Sequence, residues 1–162
     1  MAVEINPRTG QVYYAGSYED IIRICKVLNI DGGRLSKINP DRIHYFMDLV
    51  EQLVDGYLEE YYFTPIRPYN QVMPDGTTKL QFPGRLRKVA QYWASGLLLQ
   101  TEFQALEPNA NEAVQMYIED SKKETFQMTF YNQRLPGQSM KSATSRTMPP
   151  TMQPAMPPSE SL

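Results

Sequence analysis

A single histidine and a single cysteine are all that this chain offers to nucleophilic or metal chemistry. One cysteine excludes an internal disulfide and fits a reducing compartment. His44 and Cys25 match no Cys/His zinc spacing, and no Glu-x-x-His pair suggests a carboxylate-bridged metal centre. Charge of one sign is lacking too. Sixteen basic against 18 acidic residues leave a net charge of −2, without the general basic footprint that phosphate neutralisation requires. Long apolar runs are missing: the charge-free stretch between Lys88 and Glu102 is too short and too polar to span a bilayer, so no membrane partner is expected. The opening MAVEINPRTG has no basic segment followed by an apolar one, and reads as no secretory signal. Gly32-Gly33 is followed by no Gly-Lys-Ser/Thr, so a Walker phosphate loop is excluded and two turn residues remain. The expectation is a non-enzymatic protein with no catalytic residue, no cofactor and no metal.

What is present is helical periodicity. Residues 1–16 are irregular, with Gln11–Tyr14 strand-like after the turn signals Asn6-Pro7 and Thr9-Gly10. A short strand and an arm lying on a neighbour are both open. Ser17 offers an N-cap, with Asp20 completing a weak capping box, and Ile21, Ile24, Cys25 and Leu28 follow at helical spacing. Cys25 is therefore expected as a buried, inert thiol. After a loop, Asn39-Pro40 opens a second helix, with Asn as cap and Pro at the first position. Ile43, Phe46, Met47, Val50, Leu53, Val54, Tyr57, Leu58 and Tyr61 form one stripe, a core-facing helix roughly 35 Å long. His44 sits beside that stripe. Gly56 interrupts it, and close approach of another helix would explain a residue that costs about 1 kcal/mol relative to Ala.

Thr64-Pro65 ends the second helix. Asn70–Met73 and Thr77–Phe82 flank Pro74-Asp75-Gly76 and suggest a small hairpin. Pro83-Gly84 opens a third helix, with Leu86, Val89, Ala90, Trp93, Leu97 and Leu98 toward the core and Phe103 at its far end. Ala94, Ser95 and Gly96 would admit a neighbouring backbone, opposite Gly56. A fourth helix starts near Pro108, carries Ala110, Val114, Tyr117, Ile118 and Ser121, and fades near Phe126. From Gln127 onward Pro, Ser, Thr and Met dominate. That composition buries too little apolar area to offset chain entropy, so an extended tail is expected, with Met148, Met152 and Met156 suited to docking on a partner. The fold class is mainly α: a small helical bundle on a long central helix pair, an extended loop or β-hairpin between them, and an extended C-terminal tail. The division is 1–16 arm, 17–127 helical domain and 128–162 tail.

Asp48, Glu51, Asp55 and Glu59 form a carboxylate row along the second helix. Three readings stand side by side: a solvated face, pairing with Arg85, Arg87 and Lys88, or the wall of a channel whose negative charge keeps DNA from sticking. The tyrosines invite stacking on bases, yet Tyr57, Tyr61 and Tyr62 end a core stripe, so packing in a core or interface is the better reading.

The elements Val54-Asp55-Gly56-Tyr57-Leu58, Tyr61-Tyr62, Thr64-Pro65 and, past a loop, Pro83-Gly84-Arg85-Leu86 before an apolar helix resemble the head–tail connector (adaptor) proteins of tailed bacteriophages. The likeness covers about residues 17–103 and a fourth helix. It implies a virion protein, assembled in the host cytoplasm, forming a dodecameric homo-oligomeric ring at the neck. Such a ring joins the portal protein to a tail-proximal neck or tail-terminator protein, and DNA passes through it without sequence-specific binding. A head-to-tail ring needs two different sticky faces. Tyr57, Tyr61, Tyr62, Pro65, Tyr69, Met73 and Phe82 are the interface candidates beside the tail methionines. A small helical DNA-binding or regulatory protein is the alternative.

Overall fold

The computed structural model describes residues 4–27, 37–102 and 108–141, and shows a mainly α protein with one small antiparallel ribbon. Four helices, α1 (Tyr18–Val27), α2 (Pro40–Leu58), α3 (Gly84–Glu102) and α4 (Pro108–Gln127), and two strands, β1 (Tyr69–Val72) and β2 (Thr78–Gln81), make up the described elements, with a 3-10 turn at Tyr131–Gln133.

Local chemistry starts the helices where the sequence indicates. At α1 the Asp20 carboxylate accepts from the Ser17 N–H (3.1 Å), while the Ser17 hydroxyl accepts from the Asp20 N–H (3.4 Å). At α2 the Asn39 side chain accepts from the Asp41 N–H at 2.9 Å, with Pro40 at the first position.

The central element is α3 rather than a pair. It packs against α1, α2 and α4, and buries Leu86, Val89, Ala90, Trp93, Ala94, Ser95, Gly96, Leu98 and Leu99. A helix buried on most sides has no single apolar stripe, which is why Ala94, Ser95 and Gly96 look like interruptions in sequence. Gly96 is the point of closest approach. A Cβ there would stand 2.8 Å from Ile118 Cγ1 and 3.4 Å from the Val114 carbonyl of α4. The neighbour admitted by the small residues is thus α4, and not Gly56: a Cβ on Gly56 would meet nothing within 4 Å among the described residues.

Three further expectations are corrected. Helix α2 stops at Leu58, shorter than its stripe, and Leu53 and Tyr57 are 39% and 45% exposed instead of facing the core. The N-terminal segment is part of the fold: Tyr13, Tyr14 and Ala15 are core residues. Residues 128–141 are not an extended tail either. Met128 and Leu135 are fully buried, and the Tyr62 hydroxyl donates to the Met128 carbonyl (2.7 Å) and accepts from the Leu135 N–H (2.9 Å). Composition averages over a segment, whereas two well-placed apolar side chains and one buried phenol are enough to dock it. Phe103 and residues 142–162, with Met148, Met152 and Met156, lie outside the described residues, as does the side chain of Ala110.

Candidate interaction surfaces

The carboxylate row of α2 is covered by the N-terminal segment. Asn6 turns the chain back on itself: its N–H donates to the Gln11 carbonyl, and its own carbonyl accepts from Gly10 N–H, both at 2.8 Å. The turn aims the Asn6 amide (2.9 Å) and the Arg8 guanidinium (2.7 Å) at Asp48. One turn along α2, Glu51 Oε2 accepts from the Tyr14 N–H at 3.0 Å. Another turn along, Asp55 accepts from the Tyr14 hydroxyl at 2.8 Å, and that hydroxyl also accepts from the Ile66 N–H at 2.7 Å. The segment is pinned by polar contacts at every turn of the helix and by the buried Tyr14 ring, which meets Phe82 edge-on.

This seam has an unusual member. Glu51 is fully buried, and its Oε1 has no hydrogen-bond partner among the described residues. Burial pushes its carboxyl up to about 7, against the Tyr14 N–H, which favours the charged form. Burial also raises Asp55, in spite of the Tyr14 hydroxyl. At Asp48 burial acts in the same sense, but hydrogen bonds from Asn6 and Arg8 outweigh it and hold the carboxyl below its usual range. The solvated-face reading therefore fails for Glu51, and a fully buried Glu51 cannot line a channel; Asp48 and Asp55 are partly buried. Glu59 is the exposed member of the row.

The expected pairing of the row with the α3 cations is also corrected. Arg85 bonds Glu124 on α4, and its guanidinium donates to the Gln133 carbonyl (2.9 Å) and side chain (2.8 Å). Arg87 donates to the Phe82 carbonyl at 3.3 Å, and the Lys88 ammonium sits 5.9 Å from the centre of the Tyr92 ring. Arg85, Lys88, Tyr92, Tyr117, Asp120 and Glu124 line a groove of about 340 Å³ between α3 and α4. Its charges are of mixed sign and Arg85 is paired with Glu124, so nothing marks it for one ligand.

His44 is held by the Glu4 carboxylate and stacks on Tyr13 with ring centres 5.3 Å apart. It ties the N-terminal segment to α2. Cys25 is buried, and burial pushes its thiol up to about 12, far from a reactive thiolate. Among the described residues no group of three or more His, Cys, Asp or Glu is placed to hold a metal, and no helix is long and apolar enough to cross a membrane.

The interface candidates divide. Tyr62 and Phe82 are buried in the core of the subunit and are unavailable to a neighbour. Tyr57 is half-exposed; Tyr61, Pro65 and Tyr69 are partly buried at the exit of α2 and the base of the ribbon, and Met73 is partly buried at the ribbon's turn. Sequence reasoning missed the ribbon's outer face. The pairs Asn70–Leu80 and Val72–Thr78 put these four side chains on one side, and Val72 and Leu80 are 79% and 64% exposed. Every residue from 74 to 80 is exposed. The other side faces the body: Tyr69 lies on Gly137, whose φ of 71° and lack of a side chain leave room for the ring. The alternation N-x-V and T-x-L held the signal for the outer side, but only once the strand register is known.

No protein-family model, curated protein or solved structure matches this chain.

Proposed function

We propose that this chain is a structural subunit of a tailed-phage virion: one copy of a neck ring that connects the portal of the DNA-filled head to the tail-proximal neck or tail-terminator protein, and surrounds the DNA as it passes. In this reading the four helices form the small bundle of a connector, the ribbon between α2 and α3 is its extended loop, and the ring has twelve copies. The observation that carries the reading is the ribbon itself. Two four-residue strands with neither edge paired to a further strand among the described residues, and two large apolar side chains facing outward, are a poor structure for a lone subunit in water. Against a neighbouring subunit they become the sticky face that a head-to-tail ring requires. Tyr57, Tyr61, Pro65, Tyr69 and Met73 flank that face.

The test is the copy number of this chain relative to the portal protein in purified, DNA-filled particles, measured by quantitative mass spectrometry. Near-equal numbers are expected. Absence from particles overturns the reading and makes salt-dependent binding to duplex DNA the next measurement, since that would support the DNA-binding alternative.

A further inference from the structure

The outward side of α2 carries a second row of apolar side chains. Tyr45, Leu49, Leu53 and Tyr57 follow one another at four-residue intervals; Tyr45, Leu53 and Tyr57 are 57%, 39% and 45% exposed, and Leu49 is only partly buried. The row runs about 18 Å along the helix at 1.5 Å per residue. Within it lies Gly56, exposed and with open space where a side chain would be. Glycine weakens a helix interior by about 1 kcal/mol relative to Ala, and no contact among the described residues requires it here. A row of apolar side chains with a notch is shaped for a chain that comes close to the backbone.

The described residues end at Lys141, next to the C-terminal end of α2. Met140 pairs with Tyr62 in an antiparallel bridge, and the Lys141 N–H donates to the Tyr61 carbonyl at 2.7 Å. The Lys141 ammonium donates to the Glu59 carbonyl at 2.8 Å. Because the bridge is antiparallel, the chain from Met140 to Lys141 runs in the direction from Tyr62 to Tyr61, back toward α2. The sequence beyond supplies the matching chemistry: Thr147 to Ser159 carries no charge and holds Met148, Met152 and Met156. An extended chain covers about 3.3 Å per residue, so Met148 reaches on the order of 20 Å from Lys141 and the later methionines farther. The row lies within that reach. Unbranched, polarisable methionines suit tyrosine and leucine surfaces.

From this geometry we infer that the Met-rich segment 142–162 docks in cis on the Tyr45–Leu49–Leu53–Tyr57 row of α2, over the notch at Gly56. The inference does not rest on the connector reading.

Disulfide trapping in the full-length chain tests it. Leu53→Cys is combined with Met148→Cys or with Met152→Cys, and Lys122→Cys, on the exposed side of α4, with Met148→Cys serves as the control; native Cys25 is buried and stays silent. At least one Leu53 pair is expected to close an intramolecular disulfide ten or more times faster than the Lys122 pair. Equal rates overturn the inference. So does a disulfide found only between chains, which would give the row to the segment of a second copy. In the unsubstituted chain, ¹³C-methyl NMR of the methionines is expected to show at least one of the Met148, Met152 and Met156 signals moved upfield by a tyrosine ring. Free-peptide positions for all three overturn the inference independently of any substitution.

Discussion

Glu51 is a carboxyl that the fold keeps out of water without fully satisfying it. Its ordinary value is 4.5 and burial raises it to about 7. Between those values the folded chain holds a proton that the unfolded chain has released. Its contribution is therefore most favourable below about pH 4.5 and is lost as pH rises through 7, by about 3 kcal/mol between the two limits. Asp55 is raised and adds the same sense, whereas Asp48, lowered by its hydrogen bonds with Asn6 and Arg8, acts in the opposite one. The variant Glu51→Gln keeps an acceptor for the Tyr14 N–H and cannot ionise. It is expected to match the parent in urea unfolding near pH 5 and to exceed it by about 1–3 kcal/mol at pH 8. A parallel pH profile for the two would show that Glu51 is not the group that titrates. The sequence displays the row Asp48, Glu51, Asp55 and Glu59 but not its cover. Whether a carboxylate on a helix is solvated depends on what lies over it, and here that is a segment about forty residues away in the chain.

Helix starts and turn positions are set by neighbours in sequence, so Ser17, Asn39-Pro40 and Pro74-Asp75-Gly76 could be read directly. Which helix faces which is set by shape at single positions, and there reading was harder. Gly56 and Gly96 look alike in sequence, but only Gly96 is pressed by a neighbour. Gly96→Ala should force Ile118 and the Val114 carbonyl of α4 away from α3 and cost about 1–3 kcal/mol in thermal or urea unfolding. No loss would mean that the α3–α4 contact can shift freely. The docking of 128–141 hangs on the Tyr62 hydroxyl, which serves the Met128 carbonyl and the Leu135 N–H at once. Tyr62→Phe leaves both without that partner, at a cost of about 1–3 kcal/mol. Hydrogen exchange at the Leu135 amide is expected to accelerate well beyond that of amides in the middle of α3. Uniform acceleration across both would show instead that the segment and the helices open as one unit.

For the whole molecule, the core and the surface make different demands on the same residues. The α2 stripe leaves Leu53 and Tyr57 half-exposed among the described residues, and the ribbon presents Val72 and Leu80 to solvent. Scattered exposed apolar residues are ordinary; two on one face of a ribbon with no further strand at either edge among the described residues are not. If the ribbon is the face by which copies join, its outer side chains contribute to assembly and almost nothing to folding. The double variant Val72→Lys, Leu80→Lys separates the two. Both positions are surface sites on a ribbon that packs along no helix, so the unfolding midpoint is expected to move by no more than about 0.5 kcal/mol in stability. Like charges facing the neighbour would at the same time remove apolar contact and add repulsion at each junction of a ring. Incorporation into particles, counted against the portal protein, is expected to fall to background. Normal incorporation with unchanged stability would mean that the ribbon's outer face is not a junction, and would leave the partly buried Tyr61, Pro65 and Tyr69 at the exit of α2 as the place to look for one.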